Sequence, residues 1–293
     1  MFRSCLICTD FADNLDRLLA CVEDLSRSGL ERVIFFHNVA LWTEGTVPRI
    51  DKDAVSAAES KLKAGLNERS AQVDVQIQID SGNPVQTICR TVEKYDVDVV
   101  IVGTPARSAI VEKVFGSTSV ALARKTEKPL FVLRPPILQT FTKAELSLRC
   151  QNLWNSLLIP YDDSQNARYL ISRLKTQYQQ GNPPRGAHWA LLWVVGELSR
   201  ELSIMAERRR QAMAKLESIK ADLIESCSLE VSIQVEEGEP LPTILQVASQ
   251  QDITAIAISN HYRQNPFQWT VGSVASEILH QSWVPVLYFT PER

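Results

Sequence analysis

The feature that most constrains this chain is an internal repeat, in which the two halves align without a gap over a long stretch at a spacing of 156 residues. Gly82-Asn83-Pro84 falls on Gly238-Glu239-Pro240, Gly116-Ser117 on Gly272-Ser273, and Pro129 on Pro285. Phe35-Phe36-His37-Asn38-Val39 falls in the same way on Leu191-Leu192-Trp193-Val194-Val195. Upstream, Asp10 answers to Asp162 at a spacing of 152, so about four residues enter the second copy. Their place is the turn-rich stretch Gln180-Gly181-Asn182-Pro183-Pro184-Arg185-Gly186. A duplicated unit must fold twice, and 293 residues suffice for two cores of ordinary domain size. The boundaries that follow are a first domain at 1–137, a connector at 138–152 and a second domain at 153–293. Arg134-Pro135-Pro136 ends the first domain's last strand, and residues 143–148 of the connector have the makings of a helical turn.

Within each half, short β-rich runs alternate with longer helical patterns, which is the sequence of βαβ units and a parallel sheet. Strands are predicted at 4–8, 33–39, 73–79, 99–102 and 130–133, and again at 157–160, 190–195, 230–235, 255–258 and 286–289. Val97-Asp98-Val99-Val100-Ile101-Val102 is nearly continuous in β-branched residues, as a strand covered on both faces requires. In the second half's long helix, Leu198, Leu202, Met205, Ala212, Leu216, Ile219 and Leu223 lie along one face, leaving Arg208-Arg209-Arg210 as a solvated charge cluster. The fold class is therefore α/β, with two tandem doubly wound five-stranded parallel-sheet domains.

Composition removes several functions. A net charge of -3 gives no general affinity for nucleic acid or anionic lipid, and no run of about 18 uncharged apolar residues could span a bilayer. No targeting segment is visible, and six cysteines scattered through apolar segments have the usage of reduced, buried thiols, so a cytoplasmic location is expected. Cys5 and Cys8 form a C-x-x-C, but inside a strand that spacing points them to opposite faces and reads as structural. The histidines at 37, 188, 261 and 280 have no metal-site spacing, and no catalytic triad can be assembled.

In a doubly wound sheet, ligands bind beyond the carboxyl ends of the strands where successive loops diverge. Here that selects the loop after the first strand, Thr9-Asp10-Phe11-Ala12-Asp13, and the one after the fourth, Gly103-Thr104-Pro105-Ala106-Arg107, running on to Gly116-Ser117-Thr118 at a helix start. Glycine lets a phosphate approach the backbone, a helix N-terminus offers free N–H groups, and Ser117 and Thr118 add hydroxyls. Asp10 is an acceptor suited to a ribose hydroxyl. Together these parts would hold a nucleotide without a Walker lysine.

Thr9-Asp10-Phe11 after the first strand, followed by G-x-x-A-x9-G-S-T from Gly103 to Thr118, resembles the universal stress protein family, whose nucleotide-binding members carry G-x-x-G-x9-G-[ST]. The resemblance covers nearly the whole chain as two copies and implies a Rossmann-like fold of the adenine nucleotide alpha hydrolase-like type. Carried over, it implies that Asp10 holds the ribose, Val39 flanks the adenine, and Gly103, Gly116, Ser117 and Thr118 surround the phosphates, with Thr9, Ala106 and Arg107 completing the expected nucleotide-binding set. Ala106 stands where the second glycine belongs; if that backbone needs a positive φ, alanine costs roughly 1 kcal/mol. In the second copy Ser259 and Tyr262 replace both early glycines, and the bulky loop from Asn260 to Trp269 is expected to plug a degenerate pocket. Asp162 and Asp163 read as a turn and helix cap, and His261 as inert.

The first functional reading is a stress-response or signalling binding module that takes ATP or AMP, with or without Mg, in the first domain, orders the loop at 104–115 and presents a surface to a protein partner. The second is an interaction protein that uses no nucleotide, its halves forming an intrachain pseudo-dimer; the resemblance implies pairing through the fifth strands and allows a homodimer. A slow ATPase is the third, and it lacks an identifiable base or metal ligand.

Overall fold

The computed structural model describes residues 1–43, 48–66, 72–104, 117–184, 186–196, 202–259 and 273–290, apart from the side chains of residues 117, 136 and 202. Two compact units emerge, one centred on Phe2–Gln151 and the other on Asn152–Pro291.

In the N-terminal unit, five parallel strands lie in the order β3-β2-β1-β4-β5: β1 (Ser4–Cys8), β2 (Arg32–Val39), β3 (Asp74–Ser81), β4 (Val99–Gly103) and β5 (Leu130–Leu133). The β-branched run predicted to be covered on both faces is β4, whose Val99, Val100 and Ile101 are fully buried and whose Val102 is 5% exposed. Each aliphatic side chain taken out of water in this way contributes about 1.5–3 kcal/mol. After β1 the chain enters a seven-residue 3-10 helix (Leu15–Cys21) and then α1 (Val22–Arg27). The remaining helices are α2 (Lys52–Gly65), α3 (Pro84–Tyr95) and α4 (Ser117–Lys125). α5 (Pro135–Leu138) ends at the start of the stretch expected as a connector, which holds α6 (Lys143–Gln151); Leu146 and Cys150 of α6 are buried, and Gln151 donates to Asp24 of α1 at 2.8 Å.

The C-terminal unit repeats the order as β10-β9-β6-β7-β8, again all parallel: β6 (Ser156–Pro160), β7 (His188–Val195), β8 (Glu230–Glu237), β9 (Ala255–Ser259) and β10 (Val286–Phe289). Its helices are α7 (Gln165–Gln180), α8 (Leu202–Cys227), α9 (Pro240–Gln250) and α10 (Val274–Gln281). Trp189 is fully buried, its ring edge-on to Tyr178 at 5.6 Å. On α8, Ala212, Leu216 and Leu223 are buried while Arg208, Arg209 and Arg210 are exposed, as the sequence spacing predicts.

In both units the first strand lies between the second and the fourth, so the chain turns one way after the first strand and the other way after the fourth. The crevice beyond the carboxyl ends of β1 and β4, and of β6 and β9, is the switch point at which α/β sheets take ligands.

Candidate functional site

In the N-terminal unit a cleft of about 190 Å³ opens at that switch point. Thr9, Asp10, Gly103 and Thr118, four of the residues selected from sequence, line it together with Asp13 and Asn38. Asp10 is exposed and its Oδ1 accepts the backbone N–H groups of Ala12 at 2.8 Å and Asp13 at 3.1 Å, which fixes the turn. No described residue bonds its second oxygen. Thr9 is buried, and its hydroxyl is committed to the same turn: it donates to Asp13 Oδ1 at 2.9 Å and accepts the Phe11 N–H at 3.0 Å. Thr118 faces the cleft from the first turn of α4. Val39 ends β2 with its side chain buried, and the β2 wall of the cleft is formed by Phe36 and Asn38. Ala106, Arg107 and Gly116 lie outside the described residues, as does the side chain of Ser117.

Asp13 is the site residue that motif reasoning passed over. It is 5% exposed, Oδ1 accepts the Leu15 N–H at 3.0 Å, and a Cβ placed on Gly103 would lie 2.8 Å from Oδ2. Glycine at 103 is therefore needed for the close approach of this carboxylate. Burial raises the Asp13 pKa to about 6; the Leu15 N–H pulls the other way, and the charge of Asp10 adds to the rise. The only signal for this in the sequence is an acid three residues beyond Asp10, a spacing that also suits an ordinary turn.

The segment after β1 is unusually bent. Phe11 and Asn14 have φ of 63° and 61°, a conformation uncommon outside glycine. Phe11 packs on the His37 ring at 4.3 Å, with Lys61 Nζ 3.9 Å from its centroid. His37 Nδ1 lies 2.8 Å from the Thr9 carbonyl oxygen, which can only accept, so that nitrogen carries the proton. These contacts hold the turn that aims Asp10. Asn38 is equally occupied: its amide donates to the Gly82 carbonyl at 3.0 Å and its oxygen accepts the Thr87 hydroxyl at 2.9 Å.

Cys5 is buried and Cys8 half-buried, both are free, and burial drives both thiols further above their ordinary pKa, so neither is a nucleophile at neutral pH. Among the described residues no group of three His, Cys, Asp or Glu could hold a metal ion, and no helix is long and apolar enough to cross a membrane.

The same place in the C-terminal unit bounds a larger cavity of about 330 Å³. Asp162 accepts the Ser164 N–H at 3.0 Å, and Asp163, at a φ of 58° that matches Phe11, accepts from the Tyr161 hydroxyl at 2.8 Å and from Arg168 at 3.0 Å. The two carboxylates build a turn, and the helix cap itself is Ser164, whose hydroxyl accepts the Ala167 N–H at 3.2 Å. The loop from Asn260 to Trp269, expected to fill this site, lies outside the described residues, His261 and Tyr262 with it.

Comparison with known proteins agrees with this architecture. The model of the universal stress protein family matches residues 1–134 and again 154–289. A universal stress protein from Archaeoglobus fulgidus superposes with a TM-score of 0.65 at 18% identity, covering 98% of this chain and 96% of its own. A putative universal stress protein from Pseudomonas aeruginosa gives 0.60 at 16% identity, covering 99% and 94%. A functionally unknown protein from the same organism gives 0.59 at 14% identity, covering 99% and 93%. No curated protein matches the chain in sequence. With the family matched in both halves and the five-stranded parallel sheet formed twice, the chain belongs to the universal stress protein family as a tandem two-domain member.

Proposed function

We propose that the chain is a stress-response binding module whose N-terminal domain takes an adenine nucleotide, ATP or AMP, with its Mg where one accompanies it, and whose C-terminal domain is structural or regulatory. The observation that carries this reading is that Asp10, Gly103 and Thr118, far apart in sequence, line one cleft at the switch point. Asp10 presents an exposed carboxylate oxygen, the geometry a ribose hydroxyl needs, and the first turn of α4 offers backbone N–H groups and the Thr118 hydroxyl to phosphate oxygens. With no nucleophile assembled there among the described residues, the reading is ligand binding without turnover, in a cytoplasmic protein that passes its state to a protein partner. The duplicated domain supports an intrachain pseudo-dimer.

Isothermal titration with ATP and AMP tests the proposal. The expected outcome is one site per chain, lost in Thr118→Glu: an acid in the first turn suits the helix dipole, so the fold survives while phosphates are repelled. Absence of heat at millimolar nucleotide overturns it.

One observation favours the second reading, an interaction protein that uses no nucleotide. The Asp13 carboxylate lies against Gly103, where a phosphate would approach. Titration at two pH values separates the readings: binding near pH 5 that weakens toward pH 8 keeps the nucleotide, and no binding at either pH leaves the interaction module.

A further inference from the structure

The C-terminal cavity is the N-terminal cleft with several of its polar side chains replaced by apolar ones. The two are lined from equivalent positions: Pro84 and Ile88 recur as Pro240 and Ile244. Four polar side chains do not recur, and Asp13 is the one with no counterpart in the second lining. Asn38, Thr118 and Ser119 line the first cleft, and Val194, Val274 and Ala275 stand in their places. Gly103, where a phosphate could approach the backbone, is replaced by Ser259, whose hydroxyl donates to the Asn166 carbonyl at 2.9 Å. At the start of α10, Ser273 accepts the Ser276 N–H, which satisfies one of the first-turn donors.

Among the described lining residues none is Lys, Arg or His, and the one acid, Asp162, would repel an anion. A phosphate meets no cationic side chain among them. Yet at about 330 Å³ the cavity is larger than the N-terminal cleft and falls in the range of small-molecule sites. One polar group in its wall is unanswered: the side-chain oxygen of Asn166 is buried without a hydrogen-bond partner. A buried acceptor left unpaired carries a desolvation penalty that a ligand donor would relieve.

We propose that the C-terminal domain binds an uncharged, mainly apolar small molecule of two or three fused or linked rings, through the Val194–Val274–Ala275 wall and one N–H or O–H donated to Asn166. The duplicated domains then take ligands of different chemistry, a polar anion in the first and a neutral apolar compound in the second. This assignment stands or falls separately from nucleotide binding in the N-terminal domain.

The test is a fluorescence titration of the full chain with N-phenyl-1-naphthylamine, an uncharged diarylamine with one N–H, run beside phenanthrene, which has none. Saturable binding of one equivalent is expected, undisturbed by saturating ATP. Ala275→Trp, which fills the cavity, should weaken both probes at least tenfold. Asn166→Leu should weaken the diarylamine about fivefold and leave phenanthrene within twofold. No saturable signal overturns the proposal. So does displacement by ATP, or an unchanged affinity in folded Ala275→Trp. Should that variant fail to fold, the Asn166→Leu split between the two probes decides alone, and equal weakening of both counts against the site.

Discussion

Asp13 ties the stability of the N-terminal domain to the chemistry of its cleft. Its folded pKa of about 6 lies above the ordinary carboxylate value of 3.8, so the folded state holds this proton more tightly than the unfolded chain. The sign is the reverse of a salt-bridged acid: the penalty is fully present above pH 6 and disappears as pH falls from about 6 toward 4. A difference of roughly two pKa units corresponds to about 3 kcal/mol. Asp13→Asn keeps an oxygen to accept from Thr9 and Leu15 and cannot ionise. Urea unfolding should find it about 1–3 kcal/mol more stable than wild type at pH 8 and equal to it at pH 4. A variant less stable at pH 8 would mean that the carboxylate is a net stabiliser. The same substitution should strengthen nucleotide binding at pH 8: if a bound phosphate raised the Asp13 pKa by one further unit, ionisation would cost tenfold in affinity.

At the scale of the element, the repeat shows which local signals were fixed by backbone geometry. Gly82 and Gly238 both sit at positive φ, 125° and 143°, just before α3 and α9, where any L side chain is strained, so both copies keep glycine and the pair anchors the alignment. Pro84 and Pro240 each occupy the first turn of their helices. Between them the copies diverge. Asn83 caps α3 by accepting the N–H groups of Val85 at 3.1 Å and Gln86 at 3.2 Å, whereas Glu239 makes no side-chain cap on α9. Glu239→Asn should therefore raise stability by about 0.5–1 kcal/mol and Asn83→Ala should lower it by about 1 kcal/mol, both read from denaturation midpoints. Strands were legible in the sequence because runs such as Val99–Val102 must be buried on both faces. The helix after β1 was less so. Its counterpart α7 is regular over 16 residues, while residues 11–14 hold two positive φ values and the chain starts as a 3-10 helix. That distortion comes from the Thr9, Asp10 and Asp13 side-chain bonds, which depend on tertiary burial that no periodicity reports.

For the whole molecule, duplication gives two switch points, and substitution has given them different chemistry. Asp10, Gly103 and Thr118 could be selected from sequence because nucleotide chemistry dictates residue types at strand ends and helix starts. The apolar C-terminal cavity could not, since Val194, Val274 and Ala275 look like any core residues until the fold sets them around a space. Each unit has its own buried sheet, so ligand stabilisation of about 2.7 kcal/mol at one hundred times Kd should act first on the domain that binds. Hydrogen exchange on the full chain with saturating ATP should slow amides in residues 9–14 and 117–122, because a ligand in that cleft favours the closed turn and the formed first turn of α4. Residues 161–166 and 273–278, the equivalent segments, should exchange as in the free protein, since Ser259, Val274 and Ala275 replace Gly103, Thr118 and Ser119 in their cavity. Protection in the second set alone would assign the nucleotide to the wrong copy, and equal protection in both would mean that Val274 and Ala275 do not discriminate as their chemistry predicts.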